Sequence, residues 1–203
     1  MGKKLLAIHG SYRNGGIIDQ AIDAALEDAR ASGWDVEKIS LKTVPIEFCE
    51  NCRKCTVDDP HKRRGACVHD DGMEALLAKI DAADALVLGS PVNFGTVTAL
   101  MKRFIERMIC YGRWPWGTMV PKGRIAKRDK IALVIASSSC PGFLAALLMP
   151  SAGTAMKDAA RLAGAGAVRK LYLGDVCRSE KQRLSPKQRE AVRAAVKRLT
   201  VGR

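Results

Sequence analysis

The chain has 203 residues, and its 34 Lys plus Arg against 21 Asp plus Glu leave a formal charge of +13. With 47% hydrophobic residues, and with 18 Gly and 8 Pro scattered without period, it is neither a disordered polyelectrolyte nor a collagen-like or low-complexity chain. Such a length suits one domain that buries about 70% of its unfolded surface, and 4 Phe, 3 Trp and 3 Tyr leave little for a base-stacking surface.

Residues 4–9 (KLLAIH) form a short apolar run stopped by Gly10-Ser11, which predicts a buried strand. Ile18, Ala21, Ile22, Ala25, Leu26 and Ala29 then fall at helical spacing, with Gly33 as the stop. Residues 35–41 alternate as a second strand does. The stretch 45–71 breaks the pattern with Pro45, four Cys and the basic run Lys62-Arg63-Arg64. Met73, Leu76, Leu77 and Ile80 predict a short helix, followed by a strand over 85–89. Thr96 is the expected N-cap of a helix with Val97, Leu100, Met101, Phe104, Ile105 and Met108 on one face. Residues 111–129, with Trp114-Pro115-Trp116, read as an excursion. A buried strand over 130–136, one Leu- and Ala-rich helix over 143–163 and a fifth strand over 168–173 follow. Ser185-Pro186-Lys187-Gln188 combines an N-cap, Pro at the first helical position and a capping-box Gln, opening the last helix.

Near-continuous apolar strands alternating with amphipathic helices call for a parallel sheet covered on both faces. Five strands joined by right-handed crossovers predict an α/β, flavodoxin-like three-layer sandwich of order 2-1-3-4-5. The whole of 1–203 reads as one domain, with a Cys-rich insertion at about 45–71 and the excursion at about 111–129. The N-terminal residues lack a signal-peptide or myristoylation pattern, and no stretch reaches the roughly 18 apolar residues of a membrane span. Seven Cys without an export signal imply a reducing compartment. The expected location is cytoplasmic, away from membranes.

Sheets of this kind bind ligands beyond the carboxyl ends of their strands, at the switch between the first and third. Gly10-Ser11-Tyr12-Arg13-Asn14-Gly15-Gly16 supplies a hydroxyl, a guanidinium and glycine-rich backbone ahead of a helix, a setting that favours phosphate. An ordinary strand-to-helix turn explains the same residues. Ser90-Pro91-Val92-Asn93-Phe94-Gly95-Thr96 and Ser137-Ser138-Ser139-Cys140-Pro141-Gly142 follow the third and fourth strands, and together they can frame a planar ring.

These loops resemble those of the NADPH-dependent FMN reductase and iron-sulfur flavoprotein family. Residues 10–18 are similar to its G-S-P-R-x-x-G-N-T loop and residues 90–97 to its S-P-V-Y-x-G-x-x loop. Cys49-x-x-Cys52-x-x-Cys55 followed by residues 65–73 is similar to its cysteine segment. Tyr12 replaces the family's Pro, Ile17 and Ile18 stand where Asn and Thr are common, and Asn93 replaces Tyr. The resemblance implies FMN, with its phosphate held by Ser11, Arg13 and the backbone of Gly15, Gly16 and Ile17, beside Ile18. Pro91, Val92, Asn93, Phe94 and Gly95 would line the isoalloxazine edge, and Ser137, Ser138 and Ser139 its other side. It further implies NAD(P)H as a transient donor, a small-molecule or redox-protein electron acceptor, and a homodimer. The flavin carries the hydride chemistry, so no catalytic side chain is assigned.

Cys49, Cys52, Cys55 and Cys67 leave three readings open. A reduced, metal-free loop is preferred, because eleven residues separate Cys55 from Cys67, more than iron-sulfur flavoproteins place there. A 4Fe-4S cluster, which takes four thiolates, and a structural zinc are the alternatives. Cys110 and Cys177 read as core, His9 as a satisfied core or loop residue, and Asp70 and Asp71 as charges at a helix N-terminus. Trp114 and Trp116 suit a flavin cap, a subunit interface or plain packing. Two competing functions remain beside the reductase. One is an iron-sulfur electron carrier; the other is a basic regulatory or nucleic-acid-binding protein on the same scaffold. The excess charge argues only weakly for nucleic acid, since charge runs are mostly solvated faces.

Overall fold

The computed structural model describes residues 2–57, 59 and 61–200. In chain order these contain β1 (Lys4–His9), α1 (Ile17–Ala31), β2 (Asp35–Ser40), a one-turn α2 (Lys54–Val57), α3 (Met73–Ala82), β3 (Ala85–Pro91) and α4 (Ala99–Arg107). A 3-10 turn (Met108–Tyr111) leads into β4 (Gly112–Arg113), which pairs antiparallel with β5 (Lys122–Gly123). Then come β6 (Lys130–Ser137), α5 (Gly142–Leu148), α6 (Pro150–Leu162), β7 (Ala165–Leu173) and α7 (Pro186–Thr200).

The five long strands form one parallel sheet of order β2-β1-β3-β6-β7, the expected flavodoxin-like order once the short ribbon is set aside. Successive residues of a strand face opposite sides, so each buried strand feeds two cores. Leu5, Ala7, Ala85, Val87, Leu133 and Ile135 pack under α1 and α7, while Leu6, Ile8, Leu86, Leu88 and Val134 pack under α3, α4 and α6. Each such Leu, Ile or Val contributes about 1.5–3 kcal/mol by leaving water. β1 runs on to α1 on one face and β3 to α4 on the other, which opens a crevice between their carboxyl ends.

Three expectations about local structure needed correction. The N-cap of α4 is Thr98, whose side chain accepts from Met101 N at 3.2 Å; Thr96 is spent closing a turn with Asn93. The helix expected over 143–163 is two helices. Pro150 has no N–H to continue the ladder, so α5 stops at Leu148 and Pro150 becomes the first residue of α6. Cys177 is exposed rather than core, whereas Cys110 is buried as expected. The capping box of α7 forms as read: Ser185 N donates to Gln188 Oε1 at 2.9 Å and Gln188 N to Ser185 Oγ at 3.2 Å. No helix among the described residues is long and apolar enough to cross a membrane.

Candidate functional site

The loops after β1 and β3 are locked together by one threonine. Thr98 Oγ1 donates to the Gly10 carbonyl at 2.5 Å, and Thr98 N donates to Ser90 Oγ at 3.1 Å. Gly10 has no room for a side chain, since a Cβ there would lie 2.8 Å from Met101 Cβ. The backbone can therefore reach the crevice only as glycine.

At one end of the crevice α1 begins at Gly16 with no side chain capping it. The first-turn N–H groups lack helical partners, and the helix dipole favours an anion there. Ser11 Oγ accepts from Arg13 N at 3.1 Å, which curls the loop back. Ser11, Arg13, Gly16, Ile17, Ile18, Pro91, Asn93 and Ser137 line a single cavity of about 340 Å³, with Tyr12 at its wall. Of the remaining residues singled out in the sequence, Gly15, Val92, Phe94, Gly95, Ser138 and Ser139 are not among those lining it.

Each of those has an identifiable reason. The Gly15 N–H donates to Asp19 Oδ2 at 2.5 Å and is thereby already used. Val92 turns toward the α3/α4/α6 core and its N donates to the Ser137 carbonyl at 2.8 Å. Asn93 and Thr96 exchange N–H···O bonds of 2.8 and 3.0 Å around Phe94 (φ 50°) and Gly95 (φ 77°). Two left-handed central residues define the tight type I′ turn, and Phe94 stands wholly exposed at its tip. Ser138 is buried with its hydroxyl 3.2 Å from Cys140 Sγ, and Ser139 faces solvent.

Sequence reasoning missed the outer wall of the cavity. Val176, Ser179, Glu180 and Gln182 line it, from a segment without any motif. Val176 N donates to the Ser138 carbonyl at 3.3 Å and Asp175 N to the Cys140 carbonyl at 3.2 Å, which hold this segment beside the β6 loop. Asp19 was missed as well. Its carboxylate meets Lys38 Nζ at 2.5 Å and lies 3.6 Å from His9 Nε2. Burial pushes Asp19 up, but the bonds from Lys38 and the Gly15 N–H outweigh it and hold the carboxyl below its ordinary value. His9 lies in the core as expected, 2% exposed, with Nδ1 3.5 Å from Ser40 Oγ, but its Nε2 has no hydrogen-bond partner.

Cys49, Cys52, Cys55 and Cys67 line a second, smaller cavity. Asn51 (φ 53°) and Arg53 (φ 61°) are left-handed, alternating with the cysteines and bending the chain so that the thiols face one space. Arg53 is stacked between Trp114, 3.8 Å from its ring centroid, and Trp116, at 4.3 Å. The two tryptophans thus hold the cysteine loop. Burial, with the neighbouring Cys67, Cys49 and Cys52, raises the Cys55 thiol to about 11. Arg107 Nη2 lies 3.3 Å from Cys67 Sγ. Among the described residues no three His, Cys, Asp or Glu side chains converge as the ligands of a single ion. Four thiolates are the donor set of a 4Fe-4S cluster and of a structural zinc alike, so the residue types alone do not separate the two.

The fold has many solved relatives. An FMN-dependent NADH-azoreductase from Bacillus anthracis in complex with FMN has a TM-score of 0.69 at 13% identity, covering 98% of this chain and 100% of that one. An NAD(P)H:quinone oxidoreductase from Methanothermobacter marburgensis gives 0.68 at 18% identity, covering 98% of each chain. In sequence, an iron-sulfur flavoprotein from Archaeoglobus fulgidus is 35% identical over 135 residues, 64% of this chain and 59% of that protein. One from Methanosarcina thermophila is 30% identical over 110 residues, 54% of each. The chain spans about half to three-fifths of the length of these curated relatives. The profile described as NADPH-dependent FMN reductase matches residues 3–157, and the chain belongs to that family.

Proposed function

We propose that the crevice binds FMN and that the protein is an NAD(P)H-dependent oxidoreductase passing electrons to a small-molecule or redox-protein acceptor. The observation that carries this reading is the shared cavity. Three strand-end loops meet there, and the uncapped first turn of α1 faces the same space. Ser11, Arg13, Gly16, Ile17 and Ile18 would hold the phosphate, with Arg13 free of any ion pair among the described residues. Pro91, Asn93 and Ser137 would hold the ring. Gly15, Val92, Phe94, Gly95, Ser138 and Ser139 would act by shaping these loops rather than by contact. When bound, FMN supplies the hydride-accepting chemistry, and the protein supplies position, charge neutralisation and shelter from water.

Phe94, Phe143, Leu147 and Leu148 are all strongly exposed at this end of the molecule, which supports a second copy of the chain as the cover of the ring. Seven free thiols support a reducing, cytoplasmic setting. The test is the absorption spectrum of purified protein titrated with FMN, then with NADPH and NADH. A bound flavin that bleaches on adding donor is expected; FMN that fails to bind would sink the reading.

A metal-free, reduced loop remains the preferred reading of the four cysteines. The second reading, supported by their lining one cavity and by the chain's similarity to iron-sulfur flavoproteins, is a 4Fe-4S cluster with Cys49, Cys52, Cys55 and Cys67 as ligands. Such a cluster supplies one-electron exchange, and Arg107 would then donate to a ligand sulfur. Stoichiometric iron and sulfide after anaerobic purification are expected under this reading. Their absence leaves the cysteines as a packed, reduced loop.

A further inference from the structure

Beside the phosphate loop the surface opens into a larger cavity of about 720 Å³. It shares Arg13, Gly16 and Glu180 with the crevice and extends between α1 and the segment leading into α7. Its charges sort clearly. Asp23 is taken by Lys38 at 2.6 Å and Glu27 by Arg189 at 3.3 Å. Arg13, Lys181 and Arg183 are exposed, and none of the three has an ion-pair partner among the described residues. They face one remaining carboxylate, Glu180.

The segment carrying these cations is organised. Gln20 Nε2 donates to the Gly15 carbonyl at 2.7 Å and the Gln182 carbonyl at 3.0 Å, and its Oε1 accepts from Leu184 N at 3.0 Å. Gln182 in turn donates to the Asp175 carbonyl at 2.7 Å and accepts from Arg178 N at 3.0 Å. Two amides therefore fix the backbone that carries Lys181 and Arg183 beside the phosphate loop, so that an anion binding there has only their exposed side chains left to order.

We propose that this cavity is a subsite for the phosphorylated adenosine half of a dinucleotide, an inference that rests on the flavin reading for its neighbouring first phosphate. Arg13 bridges the two cavities, so a phosphate gripped at the loop leads directly into a space with two more free cations. Arg183 and Lys181 suit phosphate oxygens, and Glu180 and Asn14 offer an acceptor and an amide for ribose hydroxyls. The same chemistry is presented by the adenylate half of FAD and by the adenosine 2′-phosphate of NADPH.

The test uses the flavin-free protein titrated calorimetrically with ADP and with 2′,5′-ADP, in the wild type and in Lys181→Ala/Arg183→Ala. Both substitutions are at exposed positions outside the flavin crevice. Saturable binding of one nucleotide, weakened about tenfold or more in the double variant while FMN affinity moves less than about twofold, is expected. ADP as the tighter ligand, with FAD held above FMN, identifies the flavin dinucleotide. The 2′,5′-ADP as the tighter ligand, with NADPH preferred over NADH, identifies the donor. Neither nucleotide binding at about 1 mM, or equal binding by the double variant, would overturn the subsite. Because these titrations need no flavin, loss of FMN binding with nucleotide binding intact would count against the flavin reading alone.

Discussion

Arg107 joins the cysteine cavity to the start of α3: its Nη2 lies 3.3 Å from Cys67 Sγ, and its Nη1 lies 2.6 Å from Asp71 Oδ2. The same guanidinium donates to the Glu47 carbonyl at 2.8 Å, while Asp71 accepts from Glu47 N and Met73 N. One buried ion pair, with side chains 2% and 6% exposed, thereby fixes both ends of the segment that carries all four cysteines.

Removing either partner strands a charge. Asp71→Asn and Arg107→Met are each expected to destabilise the protein by about 3–5 kcal/mol, read from urea unfolding. Burial pushes Asp71 up, but the bonds from Arg107 and two backbone N–H groups outweigh it and leave its carboxyl below its ordinary value. A depressed acid contributes stability that is complete above the unfolded value of about 4 and is lost as pH falls through the folded value. Asp71→Asn should therefore lose less stability than wild type on acidification below about pH 4. Parallel acid limbs in the two proteins would count against the pairing.

His9 predicts a second pH dependence, at higher pH. Burial holds its imidazole below the ordinary value, against the opposing pull of Asp19. The unfolded chain binds a proton near pH 6.5 that the folded one resists, so stability is complete above that value and falls as pH drops toward the folded one. Wild type should lose urea resistance as the pH falls below the unfolded value of about 6.5, and His9→Gln should lose less. An unchanged slope in the variant would mean that another group is responsible.

The sheet order and the three strand-end loops were legible because they depend on local pattern: apolar runs such as residues 4–9, and Gly or Pro where the chain turns. The capping box at Ser185 and Gln188 was legible for the same reason. What escaped were contacts between residues far apart in sequence. Nothing near Arg64 shows that it will meet Glu74 at 2.5 Å and share Asp81 with Arg63. Nor does the Trp114-Pro115-Trp116 stretch show that its rings will enclose Arg53. The outer wall at Val176 to Gln182 follows from where β7 ends and α7 begins, which only the packed sheet determines. Thr96 looked like the helix cap because the sequence does not reveal that the preceding turn consumes its backbone.

The Arg53 stack should be measurable. A guanidinium over aromatic faces contributes about 0.5–2 kcal/mol, the larger figure when shielded from water. Trp116 is exposed, so Trp114 is expected to carry most of it. Arg53→Ala should cost about 1 kcal/mol, and it should quicken proteolysis within residues 49–57 by releasing the loop from the ribbon. Trp34, buried against a different core, should keep its fluorescence. Unchanged cleavage there would show that the backbone bond from Trp114 N to the Thr56 carbonyl, at 2.9 Å, holds the loop by itself.

The turn at Phe94 and Gly95 separates a backbone effect from a contact effect. A Cβ on Gly95 would meet nothing within 4 Å, so Gly95→Ala introduces only the left-handed strain of φ 77°. That strain should cost about 1–2 kcal/mol. Phe94 is also left-handed, and Asn tolerates that region better, so Phe94→Asn should gain about 0.5–1 kcal/mol while removing an exposed ring. If the turn fixes Asn93 at the crevice, Gly95→Ala should weaken FMN binding about tenfold at a temperature where the variant is still folded. Phe94→Asn should leave FMN affinity within about twofold in a monomer. It should lower affinity if Phe94 of a second copy covers the ring. Flavin titration of both variants, with their masses in solution measured in parallel, distinguishes the two roles. An unchanged affinity in Gly95→Ala would show that the turn does not position Asn93.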